Sequence, residues 1–349
     1  MKRCLSATLA VLALFACAGC GTAPKAEPVE ISEATAGLFA MDTYINLTVY
    51  GPDPETALEH AQSRIRELEG LWSITDEGSE IYAANHSSGQ PVSVSTDTEE
   101  LLRFALGMAR ETSGALEPTI YPVLTAWGFT TDSYRIPEQE EIDRLLEQVD
   151  YERITLTDKT LTVPEGMMLD LGAVGKGYAA DETAEVLREN GVESALLDFG
   201  GNILAVGAKP DGTPWRVGIL DPDTEGNLGV LEVADQSVVV SGGYEKYFVG
   251  EDGERYWHII DPETGHPARS GLMQVAIISE ESKLCDALST SIFVLGLDKA
   301  IDYWRSHQNF DMILLTDDRE IYATKGIESA FSLTPEHAGQ EVHLITDEA

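Results

Sequence analysis

Asp286 and Thr290 stand four residues apart in a run of helical composition, about Leu284 to Leu295, with Ser289 beside them. That spacing places a carboxylate and a hydroxyl on one helix face. Carboxylate and hydroxyl oxygens suit a hard cation such as Mg²⁺, which keeps few protein ligands and shares phosphate oxygens. Without a ligand, the same residues make a polar helix face, or Asp286 caps its own helix. A second candidate runs from Met167 to Asp181. An apolar stretch carrying Asp170 enters a turn with Gly172, Gly175 and Gly177, and a helical pattern follows through Ala180, Ala184 and Leu187. The pattern predicts Asp170 near a strand end and Lys176 at a helix start. Backbone N–H groups and the positive dipole end would face an anion there, and phosphate is the natural ligand. The stretch equally fits a tight turn that needs glycine only for its backbone angles. His258 is the third candidate. It sits in an expected strand that runs into Asp261-Pro262-Glu263-Thr264-Gly265, a rigid turn able to hold an imidazole beside a ligand. A lone strand histidine also suits a purely structural role.

Two known phosphate loops bear on the glycine turn. A Walker loop needs glycine five residues before its Gly-Lys pair and Ser or Thr after the lysine. Those positions hold Asp170 and Gly177, so the pattern fails. The dinucleotide fingerprint fits better: Gly175-Lys176-Gly177-Tyr178-Ala179-Ala180 reads G-x-G-x-x-A, with Asp198 roughly 20 residues on.

The elements that must position these groups are mixed helices and strands without strict alternation, which predicts an α+β fold of mixed sheets with packed helices. Met41 to Val49 alternates as a half-buried strand. Asp53 and Pro54 open a helix with Ala57, Ala61, Ile65, Leu68 and Trp72 inward. A loop with Thr75, Ser79 and Asn85 follows. Thr96 and Glu99 read as a capping box for a helix that ends at Gly114. Pro118 and Pro122 then forbid regular structure. A helix is expected over about Pro137 to Val149, and a hairpin around Asp158-Lys159. Further strands are expected at Ala195–Asp198, Ile203–Val206, Trp215–Ile219, Val238–Val240, Gln274–Ile278, Asp311–Thr316 and Ile321–Ala323.

The 349 residues hold 60 acids against 23 lysines and arginines, a formal charge of −37. Such a surface repels nucleic acid and anionic lipid, so an anionic ligand needs a local positive site or a metal. At the N-terminus, Lys2 and Arg3 precede the apolar run Leu9 to Phe15, then Cys17-Ala18-Gly19-Cys20. This reads as a signal peptide. Ala-Gly-Cys resembles a bacterial lipoprotein box with Cys20 as the lipidated residue. Of four cysteines, Cys4 and Cys17 lie in the removed segment, and Cys285 reads as a small buried residue. The expected organisation is a signal over 1–19, a flexible tether over 20–36, a single domain over 37–335 and a tail over 336–349.

Seven segments occur in one order: Met41-Asp42-Thr43; Gly114 to Thr119; Asp170-Leu171-Gly172 with Lys176-Gly177-Tyr178-Ala179-Ala180-Asp181; Gly200-Gly201-Asn202; Ser241-Gly242; His258 to Pro267; and Asp286-Ala287-Leu288-Ser289-Thr290. In that order the chain resembles the ApbE family, the FAD:protein FMN transferases, from about Phe39 to Phe331. The resemblance implies the ApbE-like fold. It implies FAD contacts at Met41, Thr75, Ala115, Leu116, Glu117, Asp170, Lys176 and His258. It also implies Mg²⁺ at the carbonyl of Ala173 and at Asp286, Ser289 and Thr290. Two positions depart from the family pattern: Glu117 stands where Asp is usual, and Thr75 where Tyr or Asn is frequent.

The reaction so implied is phosphoryl transfer. A Thr or Ser hydroxyl of an acceptor protein attacks the flavin-side phosphorus of FAD, and AMP leaves. This needs in-line positioning and neutralised pyrophosphate charge, with His258 or Asp286 as the base. Expected partners are FAD, a membrane through the lipid anchor, and acceptor flavoproteins, either subunits of Rnf- or Nqr-like electron-transfer complexes or extracellular proteins. Nucleic acid is not an expected partner. The expected location is the outer face of the bacterial cytoplasmic membrane, or the periplasm. Alternatives are an FAD pyrophosphatase, a flavin-binding lipoprotein without turnover, and a dinucleotide-binding oxidoreductase.

Overall fold

The computed structural model describes residues 30–131 and 133–348. The signal segment, Cys20 and most of the expected tether lie outside the described residues. Strands β1 (Ser32–Ala40) and β2 (Thr43–Gly51) form a hairpin whose two-residue turn, Met41 and Asp42, has positive φ at both positions (53° and 58°). Such a turn matches the twist of its strands. Regular structure therefore begins at Ser32, inside the stretch expected as tether, and Met41 belongs to the turn instead of the strand. On β2, Ile45, Leu47 and Val49 point inward and Tyr44 outward, as the period of two requires.

Helix α1 (Pro54–Trp72) starts at the Asp53 cap, and its buried stripe is Ala57, Leu58, Ala61, Ile65, Leu68 and Trp72. A short α2 (Glu80–Asn85), capped by Ser79, replaces part of the expected loop, and β3 (Val92–Ser93) follows. Helix α3 (Thr96–Glu111) is capped by Ser95, whose hydroxyl accepts from Thr98 N–H at 3.2 Å. Thr96 is thus the first helical residue, and Glu99 pairs with Arg103 instead of closing a capping box. Helix α4 (Tyr121–Trp127) forms despite Pro122, because proline in the first turn costs no helix hydrogen bond. Helix α5 (Gln139–Leu146) is shorter than expected. The hairpin β4 (Thr155–Thr157) and β5 (Thr160–Thr162) turns at Asp158-Lys159.

Helix α6 (Gly175–Glu189) leads into β6 (Ser194–Phe199) and β7 (Asn202–Val206), joined by Gly200 and Gly201. Then come β8 (Trp215–Leu220), β9 (Asn227–Val233), β10 (Gln236–Gly242), β11 (Tyr247–Val249), β12 (Arg255–Trp257) and β13 (Leu272–Ser279). Helices α7 (Ser282–Leu295) and α8 (Leu297–His307) precede β14 (Asp311–Thr316), β15 (Ile321–Thr324), β16 (Phe331–Leu333) and β17 (Val342–Ile345). The expected tail therefore contributes a strand, which pairs in parallel with β15.

Among the described residues, the main sheet runs β1-β2-β6-β7-β10-β13-β14-β15-β17 and is antiparallel except at its last pair. Alternate residues of one strand face opposite layers. Val239 and Ile277 join the helix-side core with α1, α6 and α7, while Val238 and Ile278 join the core under β8, β9 and β16. A smaller cluster of Val123, Trp127, Phe129, Ile142 and Ile260 anchors the loops after α4. Among the described residues no parallel strand–helix–strand unit surrounds the glycine turn. Asp198 accepts from Gly201 N–H at 3.0 Å and so shapes the β6–β7 turn. The dinucleotide fingerprint lacks the context it needs.

Candidate active site

Helices α6 and α7 cap each other. Neither Val174 nor Glu281, the residues before them, supplies a side-chain cap. Instead Asp286 of α7 accepts from Gly177 N–H in the first turn of α6 at 2.8 Å. Asp181 of α6 accepts from Ser282 and Lys283 N–H at the start of α7, at 2.7 and 3.0 Å. Each contact satisfies amides that a helix start leaves without partners. Burial pushes the Asp181 carboxyl up to about 6, although the two amides pull it down. The helices approach so closely that a Cβ on Gly177 would lie 2.7 Å from Cβ of Asp286 and from Cα of Lys283. Glycine at 177 is therefore a packing requirement.

This corrects two expectations. Asp286 caps the neighbouring helix, not its own. The start of α6 is also not an open cradle of amides: Gly175 N–H donates to Leu171, Gly177 to Asp286 and Tyr178 to Val174. An anion there meets the helix dipole and the Lys176 ammonium, which sits 3.3 Å from the Gly172 carbonyl and 3.8 Å from Asp286 Oδ1.

Met167 to Leu171 forms no strand. Asn85 holds it in place: the side-chain amide donates to Leu169 C=O at 2.9 Å and accepts from Leu169 N–H at 2.7 Å, much as a strand neighbour would. Asp170 N–H donates to Pro118 C=O at 2.8 Å, and its carboxylate accepts from Gly172 N–H at 2.8 Å. Desolvation raises the Asp170 carboxyl, opposed by the Gly172 amide and Lys176.

His258 lies one residue past β12, not within a strand. Its N–H and ring Nδ1 both face the Lys246 carbonyl, at 3.0 and 3.3 Å, and its ring edge meets Phe129 with centroids 6.5 Å apart. The following turn is fixed by Gly265 N–H to Asp261 C=O at 2.8 Å and by Trp127 Nε1 to Gly265 C=O at 2.8 Å. Desolvation lowers the imidazole to about 4, and the Lys176 and Lys246 charges act the same way, so His258 is neutral at pH 7.

These parts enclose a cavity of about 270 Å³. Its walls differ in chemistry. Leu116, Pro118, Ile120, Leu124, Ile260 and Pro262 are apolar and suit a ring system. Gly172, Lys176, Asn202, Ser241, Asp286 and Thr290 are polar and suit phosphate or a cation. Of the expected site residues, Ala115, Leu116, Glu117, Asp170, Ala173, Lys176, His258, Asp286 and Thr290 line this one cavity.

Three do not. Met41 is in the β1–β2 turn, its N–H donating to Glu69 at 2.9 Å. Thr75 is exposed and bonds locally to Ser73. Ser289 is fully buried, donating to the Asp286 carbonyl and paired with Ser241 Oγ at 2.9 Å, so its hydroxyl is committed within the protein. Glu117 lines the cavity but turns its carboxylate to Thr119 N–H, Thr119 Oγ1 and Tyr151 N–H. Burial raises that carboxyl. Its side chain ties the loop together.

The donor set suits Mg²⁺ better than a metal that needs a full protein cage. Among the described residues no group of three or more His, Cys, Asp or Glu converges on one point. Asp286, Thr290 and Ala173 line the same cavity and carry a carboxylate, a hydroxyl and a carbonyl, oxygens of the hard type that Mg²⁺ takes alongside phosphate oxygens and water.

Asn202 and Glu245 line the cavity without having been singled out as site residues. Asn202 belongs to the Gly200-Gly201-Asn202 segment, and Glu245 follows Ser241-Gly242-Gly243-Tyr244. Desolvation, helped by the Asp286 charge and opposed by Lys176, pushes the Glu245 carboxyl up to about 7.

Residues 41–314 match the sequence model of the ApbE family. The chain is 32% identical over 339 residues to the FAD:protein FMN transferase of Treponema pallidum (strain Nichols), covering 90% of this chain and 93% of that protein. It is 32% identical over 308 residues to that of Klebsiella pneumoniae (strain 342), covering 86% and 94%. The crystal structure of the ApbE protein of Thermotoga maritima superposes with a TM-score of 0.81 at 30% identity, over 86% of this chain and 99% of that one. The flavin transferase ApbE of Vibrio cholerae does so with a TM-score of 0.78 at 26% identity, over 86% and 100%.

Proposed function

This chain belongs to the ApbE family, and from that premise we propose that it is an FAD:protein FMN transferase using Mg²⁺. The observation that carries the reading is the convergence of Lys176, Asp286, Thr290 and neutral His258 on one cavity with an apolar wall. A flavin dinucleotide offers matching chemistry, with flat ring systems joined by an anionic pyrophosphate.

The apolar wall seats a ring, and Lys176 neutralises part of the pyrophosphate charge. Asp286, Thr290 and the Ala173 carbonyl would hold the cation, which when bound would supply neutralisation of the charge that develops on the departing AMP. The acceptor hydroxyl oxygen bonds to the flavin-side phosphorus as the phosphoanhydride bond breaks, and AMP takes the electron pair. The hydroxyl proton passes to His258. With Nδ1–H turned to the Lys246 carbonyl, Nε2 is the free acceptor. Asp286 is less suited as the base, because Gly177 N–H and Lys176 already engage its carboxylate.

We place the protein outside the cytoplasm, held to a membrane by lipid on Cys20. Its acceptors would be flavoprotein subunits of Rnf- or Nqr-like complexes, or extracellular flavoproteins. The N-terminal sequence supports the location. The test is AMP release from FAD with Mg²⁺, with and without acceptor. Transfer requires AMP to appear with acceptor and in step with flavin on that protein. Rapid free FMN without acceptor would instead make the site a pyrophosphatase, and binding without AMP would make it a flavin carrier.

A further inference from the structure

Asn202 opens β7, opposite Val239 of β10. It is 4% exposed, it lines the cavity, and its side-chain Nδ2 has no hydrogen-bond partner among the described residues. Burying an amide donor without a partner is unfavourable, because its hydrogen bond to water is lost and not replaced. Structural amides are normally satisfied, so a buried, unpartnered donor on a ligand cavity needs a reason. The contrast with Asn85 is direct, since both ends of that amide are paired to backbone.

The fold shows which end of the cavity Asn202 serves. By the alternation of β7, it faces the same side as Leu204 and Val206, which pack in the core with α6 and α7. Two residues along β10 from Val239, Ser241 is bonded to Ser289, which lies on α7 between Asp286 and Thr290. Asn202 therefore stands on the sheet floor beneath the turn of α7 that presents the acidic and hydroxyl oxygens. The hydrophobic wall comes from other segments. A neutral N–H donor in this place matches an anionic oxygen.

Resting on the flavin-transferase reading, we propose that the Asn202 side-chain amide is a phosphate-binding group, its buried and unpartnered Nδ2 turning to donate to a pyrophosphate oxygen of FAD from the sheet side. It is a substrate-contacting, positioning donor that fixes the phosphorus for in-line attack. It supplies no charge that would bind free anions indiscriminately.

The test is the affinity of wild type, Asn202→Ala and Asn202→Asp for FAD, FMN and riboflavin by calorimetry at fixed Mg²⁺, with thermal unfolding of each flavin-free protein. FMN retains one phosphate and riboflavin none. Asn202→Ala should bind FAD between about tenfold and a hundredfold more weakly, the range for a hydrogen bond to a charged group. Asn202→Asp keeps the shape, sets a negative charge against phosphate, and should lose more. Both variants should bind riboflavin within about twofold of wild type, and Asn202→Ala should unfold no earlier than wild type, because its amide supports nothing in the fold. Unchanged FAD affinity in both variants would overturn the assignment. So would equal losses for FAD and riboflavin, which would put the amide on the ring system or give it a role in cavity shape. If Asn202→Ala does not fold, a structural role is established and the Asn202→Asp comparison of FAD with riboflavin decides. A wild-type protein that binds no FAD would remove the reading of the site as a whole, which is distinct from a wild type that binds and variants that match it.

Discussion

Replacing Asp286 separates its two tasks. The Asp286 side chain is 5% exposed, one carboxylate oxygen accepts from Gly177 N–H at 2.8 Å, and the other lies 3.8 Å from Lys176 Nζ. In Asp286→Ala, the buried Gly177 amide loses its acceptor at a helix start, which costs about 1–3 kcal/mol. In Asp286→Asn, the amide oxygen can still accept from Gly177 and the volume is kept. Only the charge assistance of that bond is lost, on the order of 1 kcal/mol. The cation, in contrast, loses its carboxylate in both. Transfer should therefore fall by more than about a hundredfold in both variants, the scale on which a lost electrostatic contact to a reacting phosphate or oxyanion is felt. Urea unfolding measures the first effect, and AMP release against Mg²⁺ concentration at saturating FAD measures the second. An Asn variant with the wild-type rate and Mg²⁺ dependence would refute the metal role. An Ala variant as stable as wild type would refute the mutual capping of α6 and α7.

Lys176→Ala should weaken FAD binding by roughly tenfold to a hundredfold, read by calorimetry at fixed Mg²⁺; equal affinities would mean that Lys176 does not touch the pyrophosphate. His258 has a pKa of about 4 in the folded protein against an ordinary 6.5, so on acidification the unfolded chain takes up a proton that the native site refuses. The His258 contribution to stability should therefore be lost as pH drops from about 6.5 toward about 4, while the raised Asp181 and Glu245 carboxyls act the other way; the difference between wild type and His258→Gln in urea titrations isolates it, and parallel profiles would contradict the assignment. Asn85→Ala breaks both bonds to Leu169 and should destabilise the protein by about 1–3 kcal/mol while weakening FAD binding through the Asp170 loop, both read on the same preparation. Cys20→Ala should move the protein from membranes to the soluble exported fraction, with persistent lipid labelling counting against Cys20 as the anchor.

The strands and helices with clear periodicity were legible: α1, β2, β6, β10, β13 and α7 follow from alternation or a helical stripe. The register between distant elements was not. Nothing local in Asp286 says that its partner is an amide 109 residues away, because the mutual capping exists only once α6 and α7 meet. The glycine turn fits an anion site and a plain tight turn equally in sequence, because the distant acceptor of the Gly177 amide appears only on folding. Glu117 and Ser289 also bond to neighbours that a linear reading does not show. Strand β17 has no clear sequence signature, because four residues pairing in parallel with β15 leave little pattern of their own. Motif order was the stronger guide to the site, since nine of the residues it implicated line one cavity.

The central claim is that this cavity transfers FMN to a protein hydroxyl. The direct measurement is intact mass and peptide mapping of an acceptor flavoprotein incubated with this chain, FAD and Mg²⁺. The account predicts one addition of FMN less water on a single Thr or Ser, matched by AMP, and absent with Asp286→Asn. An unmodified acceptor alongside wild-type consumption of FAD to free FMN and AMP would contradict it.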